Sequence, residues 1–113
     1  MIILYGIKNC DSVKKARQWL DKNEIAYQFH DFRTDGLTVQ QVQGFIDKAS
    51  WEALLNKRST SWRQLADEQK TDLNAEKVAG LLLDNPTLIK RPVLVADEQF
   101  FIGFNAATYQ TLL

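Results

Sequence analysis

Ile2, Ile3, Leu4 and Tyr5 form a continuous apolar run with β-branched residues, which predicts a buried strand that Gly6 ends. From Asp11 to Asn23, Val13, Ala16 and Leu20, with Trp19 beside them, recur at helical spacing, and lysines and Arg17 fill much of the remainder. Ile25–Phe32 alternates, Tyr27 and Phe29 on one side and Gln28 and His30 on the other. It predicts a second strand, parallel to the first after a helical crossover. Thr34–Asp35–Gly36 is a turn.

Thr38 and Gln41 stand at capping-box spacing ahead of an apolar face of Val39, Val42, Phe45, Ile46 and Ala49. Ser50 can cap a short helix carrying Trp51, Leu54 and Leu55. After the polar loop 56–61 comes another short helix through Trp62 and Leu65. Asp72 or Asn74 can cap a helix whose stripe is Val78, Leu81 and Leu82, and Asp84–Asn85–Pro86 stops it. Val93–Ala96 and Gln99–Ile102 predict a hairpin turning at Asp97–Glu98. Gly103 breaks the last strand, and Asn105 can cap a closing helix with Tyr109, Leu112 and Leu113 inward. The order β-α-β, helices, β-β-α predicts a mixed sheet in an α/β fold.

Composition narrows the function more than it names it. A chain of 113 residues predicts a single domain with one hydrophobic core. The 14 basic and 14 acidic residues balance, so no bulk pull toward nucleic acid or an anionic membrane is expected, and any basic site is local. No apolar run approaches the roughly 20 residues needed to span a bilayer, and no signal-peptide pattern opens the chain. One cysteine permits neither an internal disulfide nor a cysteine-based metal cluster. A reducing cytoplasm, no metal and no bound cofactor are the expectations, and a monomer is expected.

That cysteine, Cys10, falls at the predicted strand-to-helix turn, with Lys8 before it and Lys14 one turn after. An ordinary thiol is only ~3% thiolate at pH 7, and the unpaired N–H groups of a helix's first turn favour the charged form. Free cysteine is equally at home as a small buried hydrophobe. His30, on a predicted strand, is read as structural. Trp51, Trp62, Phe100 and Phe101 are assigned to cores rather than to base stacking.

A β-α-β half and a β-β-α half, with cysteine at the first turn and proline just before the third strand, resembles the thioredoxin and glutaredoxin plan. Four motifs are sharper: Tyr5-Gly-Ile-Lys-Asn-Cys10-Asp, Asp31–Phe32–Arg33, Asn56-Lys-Arg-Ser-Thr-Ser-Trp62-Arg63, and Asn85-Pro-Thr-Leu-Ile-Lys-Arg91-Pro92-Val. Their order and spacing resemble the arsenate reductase–Spx family, closest to its YffB-type branch. The resemblance implies one thioredoxin/glutaredoxin-like domain, with a core of about 1–36 and 85–113 and a helical insertion of about 37–84. It implies that Cys10 is the reactive thiol, that Pro92 is cis, and that Arg91 faces the thiol and binds the anionic group. Lys8, Asn9 and Arg58 join Arg91 and Pro92 as the residues expected to bind substrate or glutathione.

Three departures bear on the reaction. Arsenate reductases of the glutathione/glutaredoxin class place histidine four residues before the cysteine, where this chain has Gly6. Their second arginine aligns with Asn56, two residues from Arg58, and their third aligns near Gly103, so an oxyanion site is thinly furnished. Spx regulators commonly carry Cys-x-x-Cys, and here the last position is Val13. The resulting expectation is a glutathione-dependent monothiol oxidoreductase, with glutathione as co-substrate and glutaredoxin as a further partner. An arsenate reductase and a non-catalytic Spx-like protein that binds RNA polymerase are the alternatives.

Overall fold

A computed structural model describes all residues, Met1–Leu113. In chain order the elements are β1 (Ile3–Gly6), α1 (Asp11–Lys22), β2 (Gln28–Asp31), α2 (Val39–Lys48), α3 (Trp51–Leu54), α4 (Thr60–Gln64) and α5 (Asp67–Lys70). Then follow α6 (Ala75–Asp84), β3 (Val93–Ala96), β4 (Gln99–Ile102) and α7 (Ala106–Tyr109), with 3-10 turns at Pro86–Leu88 and Gln110–Leu112. Two compact units divide them, Met1–Gly36 with Arg91–Leu113, and Leu37–Lys90. No helix is long and apolar enough to cross a membrane.

The first unit is built on a four-stranded mixed sheet in the order β2-β1-β3-β4, with β1 parallel to β2 and the other pairs antiparallel. Leu4 lies opposite Phe29 and Leu94, and Leu94 opposite Phe101, so these four share one face. Ala16 and Leu20 of α1 and Tyr109 of α7 join Leu4 and Leu94 in the core cluster. Burying a leucine of this kind stabilises by about 1.5–3 kcal/mol, and this is what clamps α1 onto the sheet. The other face carries Tyr5, whose ring centroid lies 4.9 Å from that of His30 and whose register partner on β3 is Val93. The Nε2 of His30 lies 2.8 Å from the Gly36 carbonyl oxygen, across the turn that follows β2.

The hairpin forms over the expected residues, Ala96 pairing with Gln99 across Asp97–Glu98. β2 is shorter than the alternation of Ile25–Phe32 suggests. Glu24 takes a left-handed φ of 57°, the Glu24 N–H donates to Asp21 O (3.1 Å), and the Ile25 N–H donates to Leu20 O (3.0 Å). These two bonds are a Schellman closure of α1, which takes Ile25 for the helix end rather than the strand. Leu113 is 67% exposed rather than inward, because the 3-10 turn Gln110–Leu112 carries the last residue off the core.

The second unit is helical, and side chains start most of its helices. In α2 the Gln41 N–H donates to Thr38 Oγ1 (3.1 Å) and the Thr38 N–H donates to Gln41 Oε1 (2.9 Å), a complete capping box. Ser50 accepts from Ala53 N–H at α3, Ser59 from Trp62 N–H at α4, and Asn74 from Lys77 N–H at α6. Asn74 is therefore the cap, and Asp72 instead takes a left-handed turn position, φ 52°. Val42, Phe45, Leu54, Val78, Leu81 and Leu82 are buried, whereas Val39, at the first position of α2, is 53% exposed and leaves the expected apolar face. The unit runs on past Asp84 to Lys90. Leu55 bridges Ile89, the Asn56 N–H donates to Leu88 O, and the Lys90 N–H donates to Leu54 O, so 85–90 forms one sheet-like seam with 54–56.

Candidate functional site

The site grows from the end of β1. Tyr5 is the last β1 residue paired with β3, through Val93. Extending this antiparallel register by one residue sets Pro92 beside Gly6, and Arg91 follows outward. The Arg91–Pro92 peptide bond is cis, as the resemblance implies. Pro92 is buried, Arg91 is half-buried, and the Pro92 carbonyl accepts the Gly103 N–H at 2.8 Å, tying β3 to the end of β4.

Beyond Gly6 the chain turns once and delivers the thiol. The Cys10 N–H donates to Ile7 O (3.2 Å), and the Cys10 carbonyl accepts the Lys14 N–H (2.9 Å), the first bond of α1. Cys10 is the N-cap residue in an extended conformation (φ −106°, ψ 128°), and no side-chain oxygen caps this end. The thiol is free and half-buried. The 12-residue helix thus opens on a cysteine rather than on Ser, Thr or Asn, and no side-chain oxygen takes up the N–H groups of its first turn.

Lys8 and Asn9 are exposed on the same loop, and Asp11 brings one acidic group to the first turn. Arg58 belongs to the second unit, where its backbone N–H donates to Asn56 Oδ1 (3.1 Å) and its side chain is exposed. The structure therefore groups Cys10, Lys8, Asn9, Arg91 and Pro92 in the first unit, with Arg58 in the other. No set of His, Cys, Asp and Glu side chains is placed to hold a metal ion. The surface cleft lined by Met1, Ile2, Ala26, Asp97 and Leu112 lies at the opposite end of β1 and takes no part in this site.

Two of the departures in sequence turn out to be one packing arrangement. A Cβ built on Gly6 would lie 2.6 Å from Val13 Cγ2, and Val13 is fully buried. A β-branched side chain in a helix has essentially one rotamer, so Val13 has nowhere to swing. The valine that stands where a Cys-x-x-Cys has its second cysteine occupies the space that a side chain at residue 6 would need.

One residue of the site carries no role in the sequence reading. Asp31, last in β2, is 5% exposed and is the only buried polar or charged residue. Its Oδ2 accepts the Lys8 N–H (3.1 Å), and its Oδ1 accepts the N–H groups of Arg33 (2.7 Å) and Thr34 (3.4 Å). Burial alone raises a carboxyl's pKa, but these three N–H groups and the Arg33 charge outweigh it and hold Asp31 below its ordinary value. Asp31–Phe32–Arg33 is visible as a motif. Only the closure of β1 onto β2 reveals what its carboxylate bonds to.

Comparison with known proteins agrees with this architecture. The model of the ArsC family matches residues 5–112. A protein of Haemophilus influenzae, described as uncharacterised, is 46% identical over 97% of this chain and 96% of its own length. A protein of Streptococcus agalactiae named global transcriptional regulator Spx is 32% identical over 93% of this chain and 77% of its own length. Among solved structures, a protein named YffB superposes with a TM-score of 0.95 at 39% identity, covering 98% of this chain and 97% of that one. This chain therefore belongs to the ArsC family, on its YffB-type branch.

Proposed function

We propose that this protein is a glutathione-dependent monothiol reductase working through Cys10. The observation that carries the reading is the seat of the thiol. Cys10 is free and half-exposed at an N-terminus with no oxygen cap, at the end of the strand that pairs with the one following Arg91–Pro92. Membership of a family of thiol-based reductases and regulators supports it.

The cycle needs two exchanges. The Cys10 thiolate attacks the glutathionyl sulfur of a mixed disulfide, a new S–S bond forms to Cys10, and the substrate leaves as a thiolate that takes up a proton. A second glutathione thiolate then attacks the glutathionyl sulfur on Cys10, releasing oxidised glutathione and the Cys10 thiolate. The oxidising equivalents of the substrate disulfide end in oxidised glutathione. Val13 offers no second thiol, so the resolving sulfur comes from outside the chain. In this reading the Arg91 guanidinium pairs with a carboxylate of glutathione, assisted by the Lys8 ammonium and the Asn9 amide. Arg58 is a further candidate contact for the same anion.

Mass spectrometry after oxidised glutathione is added to the folded protein tests the first exchange. The expected product is a single glutathione adduct on Cys10 that reduced glutathione removes. No adduct, or one formed equally fast in the unfolded chain, contradicts the proposal. Arsenate-dependent NADPH consumption in a glutathione–glutaredoxin coupled assay tests the nearest enzyme alternative, and little activity is expected. The Spx-named relatives favour a second reading, a regulator that binds RNA polymerase. That reading predicts capture of the polymerase in a pull-down that survives Cys10→Ser.

A further inference from the structure

We propose that Asp31 is the positioning residue of the thiol: through the Lys8 N–H, its carboxylate fixes the loop that seats Cys10 at the start of α1. This role rests on the reading of Cys10 as a reactive thiol.

Asp31 is the junction of two segments. On one side lies the turn after β2, where its Oδ1 accepts the Arg33 and Thr34 N–H groups, its carbonyl accepts the Asp35 N–H (2.8 Å), and its own N–H donates to Asp35 Oδ2 (2.9 Å). On the other side, 23 residues earlier in sequence, lies Lys8, midway between Gly6 and Cys10, whose N–H donates to Oδ2. The Phe32 N–H donates to Gly6 O (2.9 Å), so Asp31 is flanked by a strand–strand bond and cannot drift from the loop. Its Oδ2–Lys8 bond ties a side chain to the loop 7–10, beside the Cys10–Ile7 turn bond and the Lys14–Cys10 bond that opens α1. A carboxylate that accepts an amide N–H is a strong, directional contact, and this one is part-buried.

The positioning role and the charge of Asp31 act in opposite directions on the thiol. A nearby anion disfavours a thiolate, so removing the charge alone speeds Cys10 chemistry. Removing the anchor frees the loop and slows it. The sign of the change therefore separates the two.

The experiment measures, at pH 7, the rate at which iodoacetamide alkylates Cys10, and the exchange rate of the Lys8 amide hydrogen. It compares the wild type, Asp31→Ala and Asp35→Asn, each shown to be folded by circular dichroism. Asp31→Ala removes the acceptor with the charge, whereas Asp35→Asn disturbs the same turn but leaves the Lys8 bond in place. The expected result is alkylation slowed at least fivefold in Asp31→Ala with faster Lys8 exchange, and a rate within twofold of wild type in Asp35→Asn. If Asp31→Ala does not fold, a semisynthetic protein serves. A peptide thioester of residues 1–9, with an ester in place of the Ile7–Lys8 amide, is ligated to a fragment that begins at Cys10. That protein lacks one N–H and keeps every side chain, and the same slowing is expected. Unchanged or faster alkylation in the variant, or equal slowing in Asp35→Asn, overturns the positioning role while a fast wild-type thiol leaves the reading of Cys10 intact. A wild-type thiol no faster than that of the unfolded chain defeats that reading, and the positioning role with it.

Discussion

The two compact units differ in how their long helices start. In the second unit, α2, α3, α4 and α6 each open on an oxygen of Thr38, Ser50, Ser59 or Asn74 that accepts a first-turn N–H, and only the four-residue α5, which follows Ala66, has no such cap. In the first unit α7 does the same with Asn105, but α1, the longest helix of the chain, opens on a sulfur atom that makes no such bond. An oxygen cap contributes about 1 kcal/mol. The unit that carries the proposed chemistry forgoes it at the one helix end where a charged sulfur could use the same N–H groups.

The largest expected effect comes from removing the thiol. Cys10→Ser should abolish adduct formation with oxidised glutathione and, by giving α1 a hydroxyl cap, raise stability by about 0.5–1 kcal/mol in urea unfolding. A serine variant less stable than wild type would mean that the sulfur already does the work of a cap.

Next in size is the contact beneath the loop. Gly6→Ala forces its methyl group against Val13 and should cost about 1–3 kcal/mol. Val13→Ala opens that space, so the double variant should lose less than the two single losses added, which a double-mutant cycle measures. Simple additivity would show that the two residues do not compete for space.

On the other side of the comparison, Thr38→Ala removes one half of a capping box and should cost about 1 kcal/mol without altering the alkylation rate of Cys10. The smallest effect is a slope. The pKa of Asp31 is lowered in the folded protein, so its contribution to stability is full above the unfolded carboxyl's pKa near 4 and is lost as pH falls below that toward the folded value. Urea midpoints between pH 5 and pH 2 should therefore fall more steeply for the wild type than for Asp31→Asn.

The parts of this molecule that were legible in sequence are those with local causes. Thr38 and Gln41, Ser50 and Asn74 cap within three residues, and the hairpin strands are two four-residue runs of β-forming residues on either side of a two-residue turn. Ile25 misled, because its apolar side chain suits a strand as well as it suits the closure of α1, and only the left-handed Glu24 decides between them. Cys10 was visible from its place between an apolar run and a helical pattern, while the roles of Arg91 and Pro92 came from the family resemblance. Asp31 and the Gly6–Val13 contact were out of reach. Each joins residues brought together by the parallel pairing of β1 with β2 or by the seating of α1 on the sheet, and neither leaves a trace in spacing.

The account turns on whether the fold makes Cys10 more reactive than an ordinary thiol. The most direct measurement is the rate of Cys10 alkylation by iodoacetamide at pH 7 in the folded protein and in the urea-unfolded chain. A folded rate at least about tenfold faster is expected. A folded rate equal to or slower than the unfolded one would contradict it.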